Sequence, residues 1–165
     1  PAFTDKVLHL GPEAYGLLRT SPAIGAIISA LIMAAYPPAK KAGVALLWSV
    51  IAFGLFTILF AMSTNYWLAC AMLFFTGAFD NVSVVVRHSI LQLMTPDNMR
   101  GRVSAINNIF IGSSNEIGAF ESGFAAKLMG LVPSIIFGGT MTIFVVLGID
   151  RINPKLKKLD INALQ

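Results

Sequence analysis

Apolar residues in this chain come in long unbroken runs separated by short polar interruptions. Between Lys41 and Asp80 lie 38 residues without a charged side chain, between Lys127 and Asp150 another 22, and between Arg19 and Lys40 a further 20. A helix needs about 20 residues to cross the hydrocarbon of a bilayer, so each run is long enough for at least one crossing. The runs are continuous, whereas barrel strands alternate apolar and polar positions over about ten residues. A soluble helical bundle would need a polar face on every helix, and residues 44–62 have essentially none. The interruptions supply the stops: Pro37 and Pro38, the turn at Ser63, Thr64 and Asn65, the polar loop 92–102, and the turn 129–132 before Pro133. Proline lacks a backbone N–H, which ends a helix but suits its first position. The pattern predicts an all-α polytopic membrane bundle with five membrane helices, over 16–36, 44–62, 66–89, 103–128 and 133–149. Residues 1–15 read as a loop with a short surface helix, and 150–165 as a charged tail.

The fourth segment differs from the rest. Ser104, Asn108, Asn115 and Ser122 fall on nearly one helix face, and Asn107, Ser114, Glu116, Gly118 and Glu121 broaden that stripe. A helix that crosses while carrying these groups is expected to line the bundle interior, because polar side chains facing lipid are costly. Asp80 lies within the third segment, with Arg87 and His88 at i+7 and i+8 on a shared face. It is expected to face protein or a water-filled cavity, either as a protonatable or gating group or as a structural partner of Arg87 or a basic loop residue. A carboxyl group inside the span can take up and release protons as its surroundings change, which makes Asp80, Glu116 and Glu121, together with the asparagines Asn108 and Asn115, candidates for a substrate or proton pathway. Hydrogen bonding to a neighbouring helix is the competing reading for Glu116 and Glu121. Ser21, Gly25 and Ser29 repeat at i+4, as do Ala119 with Gly123 and Ser134 with Gly138. Small residues let helices approach closely in lipid, either as fixed packing or as a contact that repacks between two states. Tyr15, Tyr36, Tyr66, Trp48 and Trp67 sit near segment ends, where aromatic rings anchor at headgroup level, although Trp48 is placed equally well for packing.

Composition agrees with the pattern. Hydrophobic residues make up 56% and charged residues 12% of the 165, against roughly 25% charge in an ordinary soluble domain. Cys70 is the single cysteine, which excludes a disulfide-built scaffold. The net charge of +4 is carried between apolar blocks rather than along a helix face, so nucleic acid is not an expected partner. Lys40, Lys41, Arg100, Arg102, Arg151, Lys155, Lys157 and Lys158 fall to one side of the expected topology, with Arg87 nearby. That bias marks the side as cytoplasmic and places residues 1–15 outside. No phosphate-binding glycine loop, nucleophile elbow or metal-ligand cluster is visible, so no cofactor, metal or enzymatic activity is expected. The opening residues are not a signal peptide and do not begin with Met, and the chain is read as a piece of a longer protein.

Residues 95–108, TPDNMRGRVSAINN, and 112–123, GSSNEIGAFESG, carry a resemblance. Together they resemble the loop and following helix of major facilitator superfamily transporters, in the branch containing the enterobactin exporter and related predicted permeases. The loop core is Pro96, Arg100, Gly101 and Arg102, and residues 5–18 and 22–25 are similar to the same branch. The loop after the first segment keeps Lys40 and Lys41 but lacks the acid that superfamily members commonly carry there.

The resemblance implies a twelve-helix transporter in two halves, of which these segments are helices eight through twelve. The partners it implies are membrane lipid, the missing N-terminal half with helix seven, a small-molecule substrate and protons. The implied activity is secondary transport by alternating access in a bacterial inner membrane, as efflux of a siderophore-like or amphipathic compound. By the same resemblance Arg100 and Arg102 would pair with acids or lipid headgroups at the cytoplasmic end. A non-transporting membrane scaffold or assembly partner is the alternative, with an ion channel behind it. A half-bundle lacking a helix is further expected to be splayed, or completed by a neighbouring copy.

Overall fold

The computed structural model describes residues 12–36 and 42–152, with the side chains of 12–14 excepted. The expected turn carrying Lys40 and Lys41, most of the N-terminal loop, and the tail residues Lys155, Lys157 and Lys158 lie outside them. Five long α-helices account for nearly all of the described residues, and no strand occurs among them. They are α1 (Pro12–Ala35), α2 (Ala42–Met62), α3 (Tyr66–Met94), α4 (Arg100–Met129) and α5 (Leu131–Ile152), with a 3₁₀ turn at Asp97–Met99 between α3 and α4. Several helices run past the boundaries that hydropathy suggests. α1 starts at Pro12, and α3 continues to Met94, because a helix ends where its backbone is stopped rather than where its apolar run ends. Pro96 is that stop for α3.

Local chemistry explains the other ends. Asn65 caps α3 by accepting a hydrogen bond from the Trp67 N–H at 3.0 Å, and the Ser63 hydroxyl donates to the Asn65 carbonyl at 3.0 Å. Gly130 turns the chain between α4 and α5 with φ 90°, a conformation that favours glycine, and its N–H closes the last turn onto the Ala126 carbonyl. Lys127 in that turn complements the negative end of the α4 dipole.

The helices pack in a chain of neighbours: α1 against α3, α3 against α2, α2 against α5, and α5 against α4. The α1–α3 crossing is the most extensive. A Cβ at Gly25 would overlap the Phe74 carbonyl and lie 3.1 Å from the Ala78 nitrogen, and a Cβ at Gly77 would overlap the Pro22 carbonyl. Backbone meets backbone here, so glycine is required by space. Ser29 is 7% exposed at the same crossing and accepts a hydrogen bond from Asn81 at 3.0 Å. At the α2–α5 crossing Gly54 and Gly139 face each other, each with its would-be Cβ within 3.0 Å of the other's carbonyl. Between α2 and α3 the contact is aromatic, with Phe56 stacked on Phe75 and Phe79 at 5.0 and 5.6 Å between ring centroids.

The buried apolar residues are few: the alanines Ala42, Ala61 and Ala69, with Leu18, Leu47, Val86 and Val146. The large ones point outward: Ile24, Ile27, Leu31, Leu59 and Phe144 are all exposed. Such a surface is untenable in water and fits lipid. Trp48, Trp67 and Tyr36 are exposed as well, so Trp48 is not a packing residue among these helices.

Four helices, α1, α2, α3 and α5, are long and apolar enough to cross a membrane. The fourth expected crossing does form a helix, of 30 residues or about 45 Å. Its asparagines, serines and glutamates keep it outside that group.

Candidate functional site

α4 carries most of the polar residues that sequence points to, and its packing sets their surroundings. It has no buried residue, and α5 is the one long helix with which it shares an extended contact. Asn108, Asn115, Glu116 and Glu121 are exposed on it, as are Ser114 and Ser122, whereas Ser104 and Asn107 are half-buried. Large apolar side chains share the surface, among them Phe110, Ile117 and Phe120, the last 77% exposed. The stripe is therefore not enclosed by these five helices. It forms one side of an open face running nearly the whole length of α4. The Asn107 side-chain nitrogen is buried without a hydrogen-bond partner, an unusual state for a buried amide.

Asp80 lies on α3 between two packed neighbours. Phe79 turns to α2 and Asn81 to α1, which leaves Asp80 exposed on the side that neither helix covers. Arg87 is exposed and His88 half-buried on the same helix. Asp80 and Arg87 do not form an ion pair; among the described residues the ion pair is Arg100 with Asp97, at 2.7 Å. Asp80 is on a different helix from Glu116 and Glu121, and these helices do not enclose the three in one pocket.

The loop motif is compact. Thr95 donates from its hydroxyl to the Leu91 carbonyl at 2.6 Å, and the Arg100 Nε–H is shared between the carbonyls of Gln92 at 3.1 Å and Thr95 at 3.3 Å. Pro96, Gly101 and Arg102 are exposed, and a Cβ at Gly101 would meet nothing within 4 Å.

The small-residue repeats resolve unevenly. Gly25 and Ser29 sit in the α1–α3 crossing, while the Ser21 hydroxyl donates to the Leu17 carbonyl of its own helix at 2.8 Å. Gly123 has open space where a Cβ would go, so its expected packing role has no counterpart among the described residues. Gly138 is open too, and the close approach on α5 is one residue later, at Gly139. Gly77, Gly54 and Asn81 were missed by sequence reasoning. An asparagine inside an apolar span is itself a signal of interhelical hydrogen bonding, and Asn81 was obscured by the neighbouring acid.

A cleft of about 190 Å³ lies between α2, α4 and α5, lined by Phe53, Thr57, Ser122, Ser134 and Thr142 among others. Thr57, Ser134 and Thr142 each spend their hydroxyl proton on a carbonyl of their own helix, at 2.8–2.9 Å. The cleft is also smaller than the roughly 300 Å³ at which small-molecule pockets begin. It is a gap between packed helices rather than a pocket of ligand size.

Long apolar helices, small residues at their crossings and a lipid-compatible exterior define a polytopic integral membrane protein. The family model of the Major Facilitator Superfamily matches residues 1–162, and the chain belongs to that superfamily of transporters. Neither the curated proteins nor the solved structures compared gave a match to it.

Proposed function

We propose that the chain is the C-terminal part, helices eight through twelve, of a twelve-helix secondary transporter that exports a small molecule by alternating access. The observation that carries this reading is the open face of α4. A helix bearing Asn108, Asn115, Glu116 and Glu121 is costly against lipid and is well placed against a second half across a watery cavity. In this reading the missing half and helix seven cover α4, Glu116 and Asp80 exchange protons with the pathway, and Glu121 lies toward its outer end. The α3–α4 loop is cytoplasmic, the membrane is the bacterial inner membrane, and the cargo is siderophore-like or amphipathic.

The test is transport by the full-length protein in proteoliposomes carrying an internal pH dye, with ethidium and a catecholate siderophore as probes. Movement of either probe that depends on an imposed proton gradient is expected. Glu116→Gln and Asp80→Asn are each expected to lower the gradient-driven rate about tenfold, equivalent to ~1.4 kcal/mol. Unchanged coupling in both variants rejects the carboxyl roles, and no movement of either probe rejects the export reading.

A further inference from the structure

The two arginines of the loop motif sit where a helix least favours them. Both fall in the first turn of α4, whose dipole presents positive charge at that end. Arg100 answers to a different helix. The last carbonyls of α3 have no intrahelical N–H to bind, and Pro96, just beyond the cap, has none to offer. Thr95 fills one vacancy at Leu91, and the Arg100 guanidinium fills those at Gln92 and Thr95, against the negative end of the α3 dipole. Asp97 holds the guanidinium from the other side at 2.7 Å. Arg102, two residues on, is exposed with no ion pair or hydrogen bond among the described residues.

Packing makes the corner matter. α3 and α4 share almost no packed surface, so little besides this loop fixes the angle between them. We infer that Arg100 is a positioning residue: it ties the first turn of α4 to the last carbonyls of α3 and holds the two helices at a set angle. The two arginines thus have different work, with Arg100 turned inward as a strut and Arg102 free of it. The consequence for transport, that α4 presents its polar face to the pathway only while the strut holds, rests on the function proposed above. The strut itself does not.

Spin labels read the angle directly in the full-length protein, with Cys70 replaced by Ser. Ala71→Cys on α3 and Ala119→Cys on α4 are both exposed and lie about 35 and 30 Å from the corner, so a change of angle is amplified. Arg100→Gln is expected to raise the population at displaced distances about tenfold. Arg100→Lys, which keeps the charge and loses the Nε–H, should follow it, and Arg102→Gln should match the parent. A control pair, Ala30→Cys with Ala71→Cys across the α1–α3 crossing, should not change in any of them. An unchanged α3–α4 distribution in Arg100→Gln overturns the inference. So does Arg100→Lys matching the parent, since charge alone would then suffice, or broadening of both pairs, which reports general unfolding. Should Arg100→Gln fail to fold, Arg100→Lys decides alone. Ethidium transport in the same samples separates the two proposals: a parent protein that moves nothing defeats the transport reading and leaves the distance result standing.

Discussion

The α1–α3 crossing and α4 are built from similar parts to opposite effect. Both carry glycines, serines and an asparagine within a long helix. At the crossing those residues are consumed: Gly25 and Gly77 admit a facing backbone, and Ser29 and Asn81 bond each other. On α4, Gly112, Gly118 and Gly123 face open space, and Asn108 and Asn115 are exposed. Composition therefore says that a helix has a face to be covered, and only packing says whether its own neighbours cover it. The crossing is internally complete, and α4 is not.

The comparison breaks most visibly at Gly25. Leucine there has no route past the Phe74 carbonyl, because the obstacle is backbone rather than the end of a flexible side chain. Gly25→Leu is expected to cost about 3 kcal/mol or more, at the upper end of overpacking penalties, and to lower folded yield sharply. Thermal unfolding of the purified protein in detergent measures it. A variant that unfolds with the parent would show that the helices separate easily, and the contrast with α4 would lose its basis.

The helices themselves were largely legible because bilayer thickness imposes a length on apolar runs that few other constraints mimic. Gly25 and Ser29 were legible for a related reason, since small residues spaced by four make a flat stripe. What stayed hidden is pairwise. Nothing in residues 77 or 139 says that they oppose Pro22 and Gly54, because contact between distant segments depends on how helices cross. The stripe on α4 was equally plain, yet its surroundings were not, because a polar face has the same sequence whether it meets a cavity, a partner or solvent. Arg100 and Arg102 look alike in sequence and diverge only once the end of α3 is in place.

A smaller effect tests how much polar bonding adds to the crossing. Ser29→Ala or Asn81→Ala removes one interhelical hydrogen bond, and such bonds are worth about 0.6 kcal/mol on average in membrane helices. Each single variant is expected to lose about that much, and the double variant little more than either, because both remove the same interaction. Additive losses in unfolding measurements would mean that Ser29 and Asn81 act separately.

The smallest expected effect sharpens the contrast most. Gly123→Ala on α4 meets nothing within 4 Å, and alanine is the better helix former. Stability is expected to stay within about 0.5 kcal/mol of the parent, the usual range for substitutions away from packed features. Gly123→Leu adds bulk where these five helices leave room, so it too should unfold with the parent if nothing else covers α4. If further protein covers that face, as the transport reading requires, Gly123→Leu in the full-length chain should cut ethidium transport while the α1–α3 spin-label distance stays fixed. A glycine with no contact among its own helices would then be under a packing constraint from elsewhere. Unaltered transport with leucine at this position would leave Gly123 outside any contact, and the pathway would have to run along another face of α4.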